Sequence, residues 1–150
     1  MNTDKLNQWL MVASNVAVLA GIIFLALEIQ QNSDALLAGS QQDLLESDIS
    51  VLENLMLYPQ LYDPAMHDSL EGLEASRLQA YFVMIMRIRE FAWNQYNNGV
   101  LDQQTLDAYL APLEFIFDSE TGREFLLNQG FRGDLKFVQY VLDYMGLESE

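Results

Sequence analysis

The chain is 150 residues long, holds 22 acidic against 7 basic residues for a net charge of −15 at pH 7, and contains no cysteine. That balance excludes nucleic acid as a partner, because neutralising phosphates takes clusters of Lys and Arg, and it opposes docking onto anionic lipid headgroups; the missing thiols exclude disulfides, thiolate catalysis and Cys-held metals. A hydrophobic share of 51% is ample for a packed core, and the acidic surface suits solubility, cations or a cationic partner.

The first predicted element is a membrane span over residues 9–29. Trp9 to Leu27 is a run of nineteen uncharged residues. About 20 residues at a rise of ~1.5 Å cross a hydrocarbon core of ~30 Å. Trp9 stands where an interfacial aromatic belongs. A cleaved signal peptide is the first rival; against it stand a single basic residue, Lys5, and the lack of an Ala-x-Ala site after the run. A buried core helix is the second; against it stands an apolar character that extends nearly all round. Lys5 lies on the N-terminal side, and no Lys or Arg occurs from Leu6 to Ser76. The positive-inside rule therefore places the N-terminus in the cytoplasm and the bulk of the chain outside.

The polar residues of this run share a side. At ~100° per residue, Ser14, Gly21 and Glu28 fall close to one line, with Met11, Val18, Leu25 and Asn32 in the same stripe and Asn15 on its shoulder. The opposite side holds Trp9, Val12, Val16, Leu19, Ile23 and Leu27. Ala13, Ala17 and Gly21 form an adjoining small-xxx-small ladder, the pattern that lets two helix backbones approach closely in lipid. Small residues also occur in spans without any partner. The candidate helix-facing or pore-facing residues are Ala13, Ser14, Asn15, Ala17, Val18, Gly21, Leu25 and Glu28.

From Gln30 to Tyr58 there is no proline and one glycine, and Leu37, Leu44, Leu45, Ile49, Leu52, Leu55 and Met56 recur at helical spacing. The span is expected to continue as one long helix to Tyr58, ended by Pro59. A turn stretch, YPQLYDPAMHDS, follows, and its lone His67 reads as a solvated loop residue. A second helix is predicted from about Leu70 to Asn98, closed by Asn98-Gly99. Asp102 caps a third, divided or kinked by Pro112. Ser119 opens a fourth, closed by Gly130, and a last helix ends at Gly146. Nothing alternates as a strand would, so the fold class is all-α: one N-terminal transmembrane helix continuing into a long helix, plus a small helical bundle. In domain terms, residues 1–8 flank the span, 9–29 form it, and 30–150 make an acidic helical extramembrane domain.

Arg87 and Arg89 lie in a strongly apolar segment, so one of them must approach the core and take a carboxylate partner. Glu90, Glu114 and Glu124 are the candidates, with Arg87, Arg89 and Glu90 read as a structural ion-pair group. Phe82, Phe91, Trp93, Tyr96, Tyr109, Phe115, Phe117, Phe125, Phe137 and Tyr140 recur at helical spacing and read as core.

The segment GIIFLALEIQQNSDAL resembles a signature of uncharacterised bacterial membrane proteins. In them a single span leads into Glu-[Ile/Leu]-x-Gln-Asn-[Ser/Thr]-x-Ala-Leu, here Glu28, Ile29, Gln31, Asn32, Ser33, Ala35 and Leu36. The stretches REFAWNQYNNGVLD and TGREFL resemble their C-terminal half. They depart from its Arg-x-x-Glu-Asn and Gly-Arg-x-Trp-Trp patterns: Trp93-Asn94 follows Glu90 less tightly, and Phe125-Leu126 replaces the tryptophans. That family has no assigned activity. The resemblance implies a bacterial membrane and no chemistry; together with the orientation read from Lys5, the expected setting is the bacterial inner membrane with the C-terminal domain in the periplasm.

Catalytic patterns are missing. A di-iron bundle needs two Glu-x-x-His pairs, and the chain has one His. No nucleophile elbow, glycine-rich phosphate loop or EF-hand spacing occurs, and 22 acids make carboxylate pairs by chance. The expectation is no enzyme, no cofactor and no metal site. The leading expected function is assembly in the lipid bilayer, as a homo-oligomer or an accessory subunit of a membrane complex. The alternatives are a homo-oligomeric cation channel with the Ser14, Gly21 and Glu28 face lining a pore, and a membrane-anchored ligand-sensing domain.

Overall fold

Prolines, caps and glycines set the helix boundaries in the structure, a computed structural model that describes residues 3–128 and 131–147. The expected closure at Gly130 lies outside the described residues. Among the described residues every regular element is helical: α1 (Thr3–Leu57), α2 (Pro64–His67), α3 (Gly72–Asn97), α4 (Gln103–Leu110), α5 (Pro112–Ile116), α6 (Glu120–Leu127) and α7 (Leu135–Tyr144). Tyr58 leaves helical geometry at φ −133° before Pro59, which opens a one-turn 3-10 segment, Pro59–Leu61. The stretch expected as a plain turn holds a further element, α2, because Pro64 is preset for a first helical position and the Asp63 carboxylate accepts from Ala65 N–H.

Asp102 accepts from Thr105 N–H at the start of α4, and Pro112 separates α4 from α5. Asn98 caps α3, and Gly99 turns the chain at φ +73°. That left-handed conformation is one L side chains rarely adopt. Gly146 follows α7 at φ +65°.

The chain divides into two compact units, one reaching to Gly39 and one starting at Ser40. The described residues of the first are the N-terminal part of α1, up to Gly39. Every described side chain from Thr3 to Leu36 is exposed. The helix is long and apolar enough to cross a membrane, and none of its apolar window is buried. An exposed apolar surface of this extent is of the kind that marks a membrane or protein contact.

The second unit owns the core, built around two groups of rings. Phe82 of α3 lies 4.8 Å from Phe117 and 5.2 Å from Phe125 between ring centroids, joining α3 to α6 and to the segment before it. Trp93 lies 5.8 Å from Phe137 of α7, and Phe131 meets Phe137 edge-on at 6.1 Å. Of the ten aromatics expected inside, Phe82, Phe117, Phe125 and Phe137 are buried. Phe91, Trp93, Tyr96, Tyr109 and Tyr140 are half-buried. Phe115 corrects the expectation outright: it is 50% exposed, because α5 is a single short turn-and-a-half whose buried residue is Leu113.

Candidate functional site

Among the described residues, polar groups stand against apolar surroundings on the stripe of the first part of α1, in the Asp48–Arg89 groove of the second unit and at the buried His67 and Ser119. On the stripe, Ala13, Ser14, Asn15, Ala17, Val18, Gly21, Leu25 and Glu28 are all exposed, as are Gln31 and Asn32. A methyl group built on Gly21 would meet nothing within 4 Å. No residue of the first unit fills the notch at Gly21, so the ladder Ala13–Ala17–Gly21 is open for another helix. Ser14 and Glu28 stand ~21 Å apart along the axis at ~1.5 Å per residue. Ser33 Oγ donates to the Ile29 carbonyl at 3.0 Å, a bond within the helix.

The groove lies between α1, α3 and α5. It encloses about 330 Å3 and is walled by Val51, Leu52, Leu55, Ile85, Phe115 and Ile116, with Asp48, Tyr81 and Arg89 as its polar members. Arg89 is 5% exposed. Its Nε donates to the Tyr109 carbonyl at 3.0 Å and its Nη1 to Asp48 Oδ1 at 3.5 Å. The partner is thus Asp48, and none of Glu90, Glu114 and Glu124. The side of α3 that carries Arg89 faces α1, which a search along neighbouring sequence does not find. Burial lowers the affinity of the Arg89 guanidinium for its proton, and Asp48 works against that. Burial pushes the Tyr81 phenol up to about 12.

Arg87 belongs to a different construction. Its Nη1 donates to Glu90 Oε2 at 2.6 Å and its Nη2 to the Arg132 carbonyl at 3.0 Å. Glu90 Oε1 accepts from Asp134 N–H at 2.6 Å. The guanidinium also lies 4.7 Å from the Phe131 ring centre. The pair clamps the segment that enters α7, and Asp134 then caps that helix. An exposed i,i+3 ion pair contributes little alone; here its backbone bonds give it a fixed place.

His67 is the plainest correction. Expected in solvent, it is 2% exposed. Its Nε2 lies 3.0 Å from the Leu61 carbonyl and its Nδ1 3.3 Å from Ser119 Oγ. A carbonyl only accepts, so Nε2 bears the hydrogen and Nδ1 accepts from the Ser119 hydroxyl. Ser119 Oγ in turn accepts from Gly122 N–H as the cap of α6. A methyl group on Gly122 would come within 2.9 Å of the Phe117 backbone and 3.0 Å of that hydroxyl. Asp68 next door accepts from the N–H groups of Glu120 and Thr121. Those bonds, Thr121 first, hold its carboxyl below the usual range.

A Ser, a His and an Asp thus stand together, but not as a catalytic relay. Ser119 is buried and engaged as a cap, the second imidazole nitrogen meets a carbonyl, and the carboxylate bonds backbone. The cluster ties α2 to the start of α6. One sequence signal pointed at it: Ser119 and Asp68 are both cap-type residues. Their joint target is set by the fold. Among the described residues no three His, Cys, Asp or Glu side chains converge to hold a metal ion.

No protein-family model, curated protein or solved structure matches this chain.

Proposed function

We propose that this is a single-pass membrane protein, anchored by residues 9–29, that acts through assembly with other membrane-embedded helices, as a homo-oligomer or an accessory subunit. One observation supports this above the others. The open ladder Ala13–Ala17–Gly21 runs beside the Ser14–Gly21–Glu28 stripe on a helix with no buried residue before Ser40. In lipid there is no hydrophobic drive between helices; close backbone packing and interhelical hydrogen bonds supply the attraction. Gly21 permits the first and Ser14 and Asn15 offer the second. The Glu28–Leu36 signature resemblance agrees with a bacterial inner membrane as the setting, and Lys5 with a cytoplasmic N-terminus.

Crosslinking in native membranes tests the reading. The wild-type chain is expected as a crosslinked species of more than one chain, and Gly21→Leu should remove that species while expression and membrane fractionation stay unchanged. A strict monomer in the wild type, indifferent to Gly21→Leu, would overturn it.

A further inference from the structure

Over residues 45–56, α1 presents to solvent an apolar stripe that the second unit does not cover. Leu45, Ile49, Leu52 and Met56 are 58%, 46%, 59% and 83% exposed. Their spacing of four, three and four residues is that of one seam of a paired helix. The inward side of the helix from Ser40 onward packs on the rest of the second unit, with Ser40, Leu44 and Val51 buried. The exposed stripe is therefore a second apolar face. At its C-terminal end it opens into an apolar recess of about 390 Å3 lined by Leu52, Leu55, Met56, Pro59 and Tyr62, room for one bulky side chain.

The edges of the stripe choose its occupant. At ~100° per residue, Glu46 and Glu53 border one side and Asp48 the other. Asp48 shares its charge with Arg89; among the described residues no ion pair involves Glu46 or Glu53. A second copy laid parallel along the stripe sets Glu53 beside its partner's Asp48, and one laid antiparallel sets Glu46 beside its partner's Glu53; no Lys or Arg from Leu6 to Ser76 offsets either pair. An anionic lipid surface meets the same repulsion. An apolar helix flanked by Lys or Arg meets attraction at the Glu46 and Glu53 border, a weaker one at Asp48, whose charge Arg89 already shares, and an apolar seam between them.

We infer that residues 45–56 dock an amphipathic helix of a partner protein, with large aliphatic residues at alternating three- and four-residue spacing and basic residues on its flanks. The inference is independent of what packs against the span, since it rests on side chains of the second unit alone.

The test uses the full chain in nanodiscs of zwitterionic lipid. They are titrated with a fluorescent helical peptide carrying Leu at that spacing and Lys on both flanks, against empty nanodiscs as the blank. Saturable binding is expected, weakened roughly tenfold or more by the double variant Ile49→Ser, Leu52→Ser. Both positions are exposed, so an unchanged thermal transition is the control for folding. The double variant Glu46→Lys, Glu53→Lys should lose the Lys-flanked peptide and gain a Glu-flanked one. Equal binding by wild type and the Ser variant would overturn the inference. So would a disulfide between two copies of Ile49→Cys formed without peptide, which assigns the stripe to self-association. Slower oxidation of Met56 in lipid discs than in detergent, with no peptide binding, would assign it to the bilayer and overturn it equally.

Discussion

Residues 9–29 and residues 40–57 belong to the same helix, are both rich in apolar residues, and meet opposite fates. The first segment lacks charge until Glu28 and buries nothing within its own unit. The second holds Asp43, Glu46, Asp48 and Glu53, buries Leu44 and Val51, and supplies the carboxylate for Arg89. Charge spacing separates them. A helix with no charge for about five turns can leave water altogether. A helix with an acid every few residues must keep one side wet and has only the remaining sides to pack with.

The sharpest way to break this comparison is to damage one unit and ask whether the other notices. Phe82 is fully buried and touches His67, Phe117 and Phe125. Phe82→Ala is expected to cost the second unit about 3–5 kcal/mol, read as a large drop in its thermal midpoint by near-ultraviolet dichroism. Membrane fractionation, which the proposed anchor over residues 9–29 would carry, should stay intact. Loss of both together would show that the two units fold as one.

A smaller effect is expected where the long helix meets the bundle core. Asp48→Ala leaves the Arg89 guanidinium with only the Tyr109 carbonyl. The expected cost is about 1–2 kcal/mol, below that of breaking a fully buried pair because the Asp48 side chain is 39% exposed. Chemical denaturation of the variant beside wild type reads it. No loss would mean that the tail of α1 is held by Leu44 and Val51 alone.

The smallest effect is a pH dependence confined to the second unit. The Asp68 carboxyl is held below its ordinary value by the N–H groups of Thr121 and Glu120. A carboxylate whose folded-state affinity for protons is lowered gives stability that is complete above its unfolded pKa of about 3.9. That stability is lost as pH falls through the folded value. Asp68→Asn should therefore flatten the fall in thermal midpoint below about pH 4, and leave the neutral-pH dependence alone. Because Asp68 is exposed, the shift is expected to be slight; an unchanged acid limb would place the acid sensitivity elsewhere.

How much of this was legible in the chain follows from the range of each interaction. Pro59, Pro112, Asp102, Ser119 and Gly99 act within a few residues of themselves, and their helix boundaries could be read directly. The stripe of Ser14, Gly21 and Glu28 is a property of one helix's periodicity, so its geometry too was available at once. The signals that failed were those that depend on a partner far along the chain. Asp48 and Arg89 are 41 residues apart, and His67 and Ser119 are 52 apart. A lone His just after Pro59 and Pro64 has every local mark of a loop residue; only the start of α6, brought beside it, supplies the hydroxyl that makes its burial tolerable. Phe115 failed the other way, since periodicity could not tell that α5 ends before its outward ring finds a cover.

By itself the sequence determined the helical class, the places where helices start and stop, and the one segment fit to cross a membrane, because each is set by backbone chemistry or by hydropathy along a single helix. Only the tertiary structure decided which acid neutralises Arg89, why His67 is dry, and which side of residues 40–57 faces inward. Those outcomes come from packing between distant segments. The apolar residues of the long helix are enough for two faces, and the bundle has room for one; Leu45, Ile49, Leu52 and Met56 are left outside with acids at their borders.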